Sequence, residues 1–402
     1  MMSKRIRSIE DLRAVITPES RVLTLFSGGL DSAYLLHLLS KQNCKNLTAL
    51  TVDLGDNVDH AGIQALAKQL GAQSVILDKR REFAEQFVVP AIAAHSSYLG
   101  VHPISSSLSR PLMAHEAIRV ARELRCDVIL HTANQSQNTL RRLNGALEQL
   151  GFEGYYGTPY EFSALTREEK ARGLHKRGVD VFKTRNYSGD SNLWCREFES
   201  GMLDDPEQFS TPEALYLWSA STPKASATRM SITFSKGVPV EVDGKAMPIL
   251  ELIAHLNVKA GAYGLGRFSG LEHLSGGEKV LEVREMPAAH VLLGAYRQLE
   301  TACVDAEAIR EKMSQEQLWV REALEGRWFG TLREAAQQFI SSLAKHVTGT
   351  VTYHLDWRTL EVNSIRAARP LYIRDRDAWE KQKASEGRPV RPWPPSEEKL
   401  AI

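Results

Sequence analysis

The hydrophobic pattern of the first 150 residues alternates between short apolar runs and longer segments with helical periodicity. Short runs rich in β-forming residues predict strands, and segments with an apolar stripe predict helices. The predicted strands are 22–26, 47–53, 74–77 and 127–131, and the predicted helices are about 31–41, 59–70, 81–95, 110–125 and 134–149. This order predicts an α/β fold whose N-terminal parallel sheet is wound with helices.

The pattern changes at about residue 175, where strands, turns and glycine-rich stretches begin to mix. Residues 230–247 predict a hairpin with Asp243-Gly244 at its turn, and residues 258–270 predict a loop. Further predicted elements are helices at about 288–314 and 331–346 and a strand at 347–355. These elements indicate a second domain of the α+β class.

The pattern therefore divides the chain into three parts. We expect a nucleotide-binding domain over 1–175, a substrate and oligomerisation domain over 176–365, and a C-terminal arm over 366–402. The end of the arm is rich in proline and charge and lacks periodicity, so we expect it to be extended or partly disordered.

Composition and charge mainly argue against certain classes of protein. A formal net charge of +1 gives no reason to expect a nucleic-acid or membrane surface. No apolar segment has the length of a membrane span and the polar start is not a secretory signal, so we expect a cytoplasmic protein. The four cysteines are scattered without a CxxC pair, which argues against a disulfide framework or a zinc site.

The candidate chemistry begins at residues 26–36, FSGGLDSAYLL, where an apolar run meets two glycines and a helix. Glycines let the backbone approach a ligand, and the free amides and positive dipole end of the helix favour an anion such as phosphate. The alternative is a tight turn in which Asp31 or Ser32 is only a helix cap. Phe26, Asp53 and His131 each close a predicted strand, so we expect all three on one rim of the sheet.

The turn lacks the Lys-Ser/Thr ending of a Walker A loop and the spaced glycines of a dinucleotide fingerprint. It resembles instead the pyrophosphate loop of the N-type ATP pyrophosphatases, which have an adenine nucleotide alpha-hydrolase-like fold. The resemblance implies that ATP is cut between its α- and β-phosphates, with Mg²⁺ on the phosphates. A second SGG at Ser275 has neither the apolar strand nor the Asp-Ser, so we expect no phosphate there.

Within that superfamily the chain resembles argininosuccinate synthase from about residue 20 to about residue 375. Seven segments occur in the family's order: VDLGD (52–56), SSSLSRPLMAHEAIRVARE (105–123), HTANQSQNTLRRLN (131–144), NYSGDSNLWCREFESGMLDDP (186–206), NVKAGAYGLGRF (257–268), VREMPAA (283–289) and WFGTLREA (328–335). The resemblance implies a homotetramer that uses ATP to join two amino-acid-like substrates. A ureido oxygen attacks ATP, and an amino group then displaces AMP.

The resemblance also implies roles for individual residues. The implied ATP contacts are Phe26, Ser27, Gly28, Gly29, Asp31, Ser32, Val52 and Thr132, with Asp31, Ser32 and Arg110 as catalytic groups. Positions that match the family's citrulline contacts are retained at Ser107, Asn138, Arg142, Ser188 and Glu272. Three such positions carry another residue type, at His102, Glu197 and Arg284, where the family has tyrosine, serine and tyrosine.

The positions that match the aspartate contacts are also altered, since they are now Asn134, Asn138 and Thr139. Loss of a carboxylate at Thr139 weakens the contact to an incoming ammonium, because charge-assisted hydrogen bonds are the stronger kind. We therefore predict substrates other than citrulline and aspartate. The alternative is an ordinary argininosuccinate synthase with unusual side chains at the same site.

Blander alternatives exist for single residues and for the whole chain. Arg142 binds a carboxylate or is a solvated helix residue, and Glu197 and Arg284 contact substrate or form a structural bridge. His102 is a specificity candidate or an ordinary packed histidine. Two further functions are a tRNA-modifying member of the superfamily, against which the near-neutral charge argues, and a non-enzymatic ATP-binding protein.

Overall fold

The computed structural model describes residues 4–55, 57–180, 187–222 and 226–386, and its first half is built on a six-stranded sheet. The strand order is β1-β8-β7-β2-β3-β4, and all neighbours are parallel. The bounds are β1 (Arg5–Ile6), β2 (Arg21–Leu25), β3 (Asn46–Asp53), β4 (Gln73–Asp78), β7 (Val128–Leu130) and β8 (Tyr155–Gly157), with a separate ribbon of β5 (Ser97–Tyr98) and β6 (His102–Pro103).

Helices cover both faces of this sheet. Their bounds are α1 (Ile9–Val15), α2 (Leu30–Lys41), α3 (His60–Gln69), α4 (Arg80–Phe83), α5 (Val89–Ala93), α6 (Ser106–Leu124), α7 (Thr139–Gln149) and α8 (Arg167–His175), with a π-helical turn at Ala84–Val88. Val22 of β2 packs in one core cluster with Leu36 of α2, and Leu23 packs in another with Ile118 of α6. Burial on both faces explains why β2 is a continuous apolar run.

The predicted α/β class and the four predicted parallel strands are confirmed, with shifts at several ends. The strands β1 and β8 were not predicted: β1 has only two residues, and β8 is Tyr-Tyr-Gly and lacks the aliphatic run that marks the equally short β7. Helix α6 begins at Ser106 and not at about residue 110, and it accommodates Pro111 in its second turn. Helix α7 begins at Thr139 and not at about residue 134, because the Asn134 side chain accepts hydrogen bonds from Ser136 and holds a turn there.

The second half contains two antiparallel sheets, in the orders β14-β15-β10-β9 and β13-β12-β11-β16-β17. The strands are β9 (Ser188–Ser191), β10 (Arg196–Glu199), β11 (Thr228–Ser235), β12 (Val238–Val242), β13 (Lys245–Ala246), β14 (Arg267–His273), β15 (Lys279–Glu285), β16 (Gly349–Asp356) and β17 (Thr359–Ala367). The helices are α9 (Ile249–Gly261), α10 (Pro287–Cys303), α11 (Ala306–Leu324), α12 (Thr331–Ala344) and α13 (Arg376–Glu386).

Three predictions for this half need correction. The main hairpin, β11–β12, turns at Lys236-Gly237, and Asp243-Gly244 turns the chain only into the two-residue strand β13. The loop expected over 258–270 is largely the end of α9 and the start of β14. The single helix expected over 288–314 is broken, because Asp305 caps a new helix by accepting the Ala308 N–H.

The arm after β17 is largely exposed, although the Leu371 N–H still donates to Ala302 O at 2.9 Å. Helix α13 has no buried residue, and Leu371, Tyr372 and Ile373 before it are exposed. The predicted extended or disordered end lies mostly outside the described residues, which stop at Glu386. Among the described helices, none combines the length and apolar character that a membrane span requires.

Candidate active site

The glycine turn lies at the carboxyl end of β2, between β3 and β7, so the strand ends expected on one rim are neighbours. Phe26 is buried, and its backbone is fixed to β3 because its N–H donates to Leu50 O at 2.8 Å and its carbonyl accepts from Thr51 Oγ1 at 2.6 Å. Val52 is half-buried on β3, and Thr132 is half-buried in the loop that follows β7.

Helix α2 starts at this turn without a side-chain cap. Gly29 is its N-cap, and Ser27 Oγ accepts the Gly29 N–H at 3.3 Å. Ser32 Oγ lies 3.4 Å from Ser27 Oγ and donates to Gly29 O at 3.0 Å. Asp31 and Ser32 are therefore not acting as helix caps, and the first-turn amides remain for an anionic ligand.

Arg110 joins two segments that sequence analysis assigned to different substrates. Its guanidinium donates to Asp190 Oδ2 at 2.5 Å, to Thr139 Oγ1 at 3.1 Å and to Ser109 Oγ at 2.9 Å. Burial would lower the pKa of Arg110, but the carboxylates of Asp190, Glu197 and Glu199 together outweigh burial and raise the pKa. Arg110 is thus a fixed cation at the start of α7. Asp190 was missed as a partner because only the fold brings β9 to α6.

A buried ion cluster occupies the position predicted for the acceptor. Glu272 has no exposed surface, and its Oε1 accepts from Arg142 Nη2 at 2.5 Å and from Asn138 Nδ2 at 2.8 Å. Its Oε2 accepts from Arg284 Nη2 at 2.9 Å. Burial alone would raise the pKa of Glu272, but the two guanidinium charges lower it to about 2. Arg142 is buried, so it is not a solvated helix residue.

Arg284 is the centre of this cluster. Its guanidinium lies 3.3 Å from Glu197 and 3.6 Å from Glu282, and Nη1 donates to Pro103 O at 2.8 Å. The ion pair between Glu197 and Arg284, one of the alternatives from sequence, is therefore present. We use the name acceptor cluster for Arg142, Glu197, Glu272, Glu282 and Arg284.

The same guanidinium fixes the state of His102. Arg284 Nη1 donates to His102 Nδ1 at 2.9 Å, so the ring proton lies on Nε2. Burial and the Arg284 charge lower the pKa of His102 to about 3. His102 is thus a neutral, packed ring whose Nε2 has no hydrogen-bond partner among the described residues, and this state does not suit it as an acid or base near neutral pH.

Other predicted site residues lie less centrally. Ser107 is buried, and its Oγ has no hydrogen-bond partner among the described residues. Ser188 is half-buried on β9, next to the strand of Glu197. Asn134 holds the turn before α7 and bonds to Ser136. Sequence reasoning missed Glu282, because it lies just before the family segment 283–289 and carries no motif of its own.

We expect Glu282→Gln to remove a pH-dependent loss of stability. Burial raises the pKa of Glu282 well above its ordinary 4.5, with Arg284 opposing the shift and the carboxylates of Glu272, Glu197 and Glu199 adding to it. Unfolding frees the carboxyl to ionise, so the wild type loses up to about 1.4 kcal/mol per pH unit as pH rises from its unfolded towards its folded pKa.

Urea unfolding measured at about pH 5 and about pH 8 tests this linkage. The variant should gain in stability relative to the wild type at the higher pH. An equal difference between the two proteins at both values would contradict a protonated Glu282 in the fold.

The fold and the turn together define the class of protein. A parallel sheet whose central strand runs through Ser-Gly-Gly into an uncapped helix belongs to the adenine nucleotide alpha-hydrolase-like, or HUP, class of nucleotide-binding α/β proteins. Residues 21–179 match the Arginosuccinate synthase N-terminal HUP domain, and residues 187–390 match the Arginosuccinate synthase C-terminal domain.

Curated relatives show the same likeness over most of the chain. The argininosuccinate synthase of Methanopyrus kandleri is 34% identical over 379 residues, which cover 92% of this chain and 95% of that protein. That of Dictyoglomus turgidum is 33% identical over 338 residues, or 83% of this chain and 85% of that protein. The chain therefore belongs to the argininosuccinate synthase family, whose members are ATP-dependent ligases.

The described side chains do not form a metal site by themselves. Within the described ranges, no group of three or more His, Cys, Asp or Glu side chains is placed to hold a metal ion. Asp31 is the carboxylate in the glycine turn, and one carboxylate together with substrate phosphates is a usual way for proteins to bind Mg²⁺. The turn therefore fits a magnesium ion that arrives with ATP.

Proposed function

We propose that this protein is an AMP- and pyrophosphate-forming carbon–nitrogen ligase that uses Mg²⁺-ATP and substrates other than citrulline and aspartate. One observation carries the part about substrates: Arg284 and Glu197 form a buried ion pair against Glu272. At these two positions the resemblance to the family implies tyrosine and serine. A guanidinium and a carboxylate change both the volume and the charge that an acceptor meets.

The proposed reaction has two steps. A carbonyl oxygen of the ureido-type acceptor attacks the α-phosphorus of ATP, and the bond to the β-phosphate breaks with its electron pair going to pyrophosphate. The amino nucleophile then attacks the activated carbon, loses a proton, and displaces AMP together with the former carbonyl oxygen. Ser27, Gly29 and Ser32 would hold the phosphates, Asp31 would hold the Mg²⁺ that comes with them, and Arg110 would stabilise charge between the two halves of the site.

An ordinary argininosuccinate synthase is the second candidate. It is favoured by the intact contacts among Arg142, Asn138 and Glu272, which sequence matching assigns to citrulline. Membership of this family argues against a tRNA-modifying enzyme. A non-enzymatic ATP-binding protein is an outcome of the assay below.

Pyrophosphate release from Mg²⁺-ATP, measured over a panel of acceptors and amines, tests the proposal. The panel contains citrulline, other ureido and carbamoyl compounds and carboxylates, each with and without aspartate or another amine. We expect no release with citrulline and aspartate and release with another pair. Release with citrulline and aspartate at the rate of an ordinary synthase would contradict the proposed specificity, and ATP binding without release across the panel would favour the non-enzymatic alternative.

A matched double variant sharpens this test. Glu197→Ser with Arg284→Tyr restores the residue types implied by the family and removes both partners of one ion pair. The double variant should gain activity with citrulline relative to the wild type, with folding checked by circular dichroism. If the double variant folds but gains no activity with citrulline, Glu197 and Arg284 do not determine which acceptor the protein uses.

We also propose that the protein is a homotetramer to which the C-terminal arm contributes. The support is the family resemblance together with α13, which buries no residue in the single chain, and the exposed Leu371, Tyr372 and Ile373. Light scattering should give the mass of four chains for the full protein and a smaller assembly after truncation at residue 367. Equal assembly masses for the two proteins would contradict a role for the arm.

A further inference from the structure

A lysine outside the family segments reaches the glycine turn. Lys170 of α8 is 7% exposed, and its Nζ donates to Asp31 Oδ1 at 2.7 Å. The ammonium also lies 4.4 Å from the centroid of the Tyr160 ring, and Tyr160 Oη donates to the main-chain oxygen of Asp31 at 3.1 Å. A largely buried cation is thus held beside the first turn of α2.

Helix α8 is fastened in the position that brings Lys170 to the turn. Thr166 and Glu169 form a capping box at its start. Gly173, one turn after Lys170, lets α8 approach α2 closely, since a Cβ there would lie 2.5 Å from the Tyr34 ring. Beyond its end, the Gln69 side chain of α3 donates to Arg177 O at 3.2 Å. The placement of the ammonium is therefore set by packing on both sides.

A phosphate group at the start of α2 would meet the negative charge of Asp31. The helix dipole supplies only about half a positive charge. Among the described residues, Lys170 is the one cationic side chain in direct contact with the turn 27–32. An ammonium has three N–H donors, and its contacts to described residues are one hydrogen bond, to Asp31, and one ring contact, to Tyr160. The Lys170 ammonium therefore has N–H groups left for a further hydrogen bond beside the turn.

We propose that Lys170 binds the β- and γ-phosphates of ATP and the pyrophosphate that leaves. When the bond between the α- and β-phosphates breaks, its electron pair goes to pyrophosphate, and the ammonium offsets that added charge. This inference rests on the proposed function, because that function makes pyrophosphate the leaving group. Binding of inorganic pyrophosphate needs neither co-substrate, so it can be measured whatever the acceptor is.

Calorimetric titration of inorganic pyrophosphate, ATP and AMP, each with Mg²⁺, tests the assignment. Lys170→Met should lower the affinity for pyrophosphate and for ATP by about 10- to 100-fold, the range expected for a hydrogen bond between charged groups. AMP lacks the β- and γ-phosphates, so its affinity should not change. Lys176→Met is the matched control, since Lys176 is exposed directly after the same helix, and it should bind all three ligands like the wild type.

A second comparison covers the case in which Lys170→Met alone folds poorly. Asp31→Asn is compared with the double variant Asp31→Asn, Lys170→Met, which leaves neither charge unpaired. The added lysine change should still weaken pyrophosphate binding by a similar factor. Equal pyrophosphate affinity in these two variants, or an equal loss for AMP, would overturn the proposal. If the wild type releases no pyrophosphate with any acceptor, the proposed function fails while this binding test still gives its answer.

Discussion

Glu272→Ala is expected to lower the free energy of unfolding by about 3–5 kcal/mol, the cost of leaving a buried ion pair without one partner. Glu272 is fully buried, and its two carboxylate oxygens hold Arg142 and Arg284 from opposite sides. Alanine leaves the Arg142 guanidinium without its counter-charge in the interior and removes one of the carboxylates that pair with Arg284. Urea unfolding of the variant and the wild type at neutral pH measures the difference.

Glu278→Ala is the matched control, because Glu278 is exposed near the turn between β14 and β15. It should change stability by less than about 0.5 kcal/mol. The pKa of Glu272 is lowered to about 2, so its contribution is complete above its unfolded pKa and is lost as pH falls towards 2. A cost below about 1 kcal/mol for Glu272→Ala would contradict the ion cluster as described.

Gly28→Ala is expected to lower the rate of pyrophosphate release by about 100-fold, the scale of effect of a misplaced reacting group. Gly28 has a φ of +72°, and a Cβ there would lie 3.1 Å from Ile63 Cγ1. The substitution strains the turn and presses it against α3, so the amides at the start of α2 move. Steady-state release with the best acceptor of the panel, together with pyrophosphate affinity, measures the loss.

Gly71→Ala provides the matched control for backbone strain. Gly71 has a φ of +85°, but a Cβ there meets nothing within 4 Å, and it follows α3 away from the turn. Gly71→Ala should introduce a backbone strain similar to that of Gly28→Ala and lower the free energy of unfolding by about 1–2 kcal/mol. It should leave the rate of pyrophosphate release unchanged. Equal losses of release in the two variants would show that strain alone, and not the phosphate turn, explains Gly28→Ala.

The sequence predicted the nucleotide half of the fold well, because its signals are local. The run from Val22 to Leu25 is apolar as a strand buried on both faces must be, and the glycines mark the turn that follows. Strand β1 was missed because it has only two residues, and β8 was missed because Tyr-Tyr-Gly contains no aliphatic run. The late start of α7 depends on which backbone groups the Asn134 side chain bonds, which a periodicity argument does not include.

The acceptor cluster was predicted only in part. Matching to the family brought out Arg142, Glu272, Glu197 and Arg284 one by one, but it did not show that Arg284 touches both carboxylates. Glu282 and Lys170 were missed, because neither belongs to a motif and each acquires its partner only when distant elements pack together. Contacts of this kind depend on tertiary structure, so a single sequence gives no local signal for them.

The most direct test of the proposed reaction follows the acceptor's carbonyl oxygen. An acceptor that supports pyrophosphate release is prepared with heavy oxygen in its carbonyl group, and the AMP formed in one turnover is analysed by mass spectrometry. Adenylation of the carbonyl oxygen predicts that AMP carries the label and that pyrophosphate does not. Unlabelled AMP, or ADP and phosphate as the products, would contradict adenylation of the acceptor by this protein.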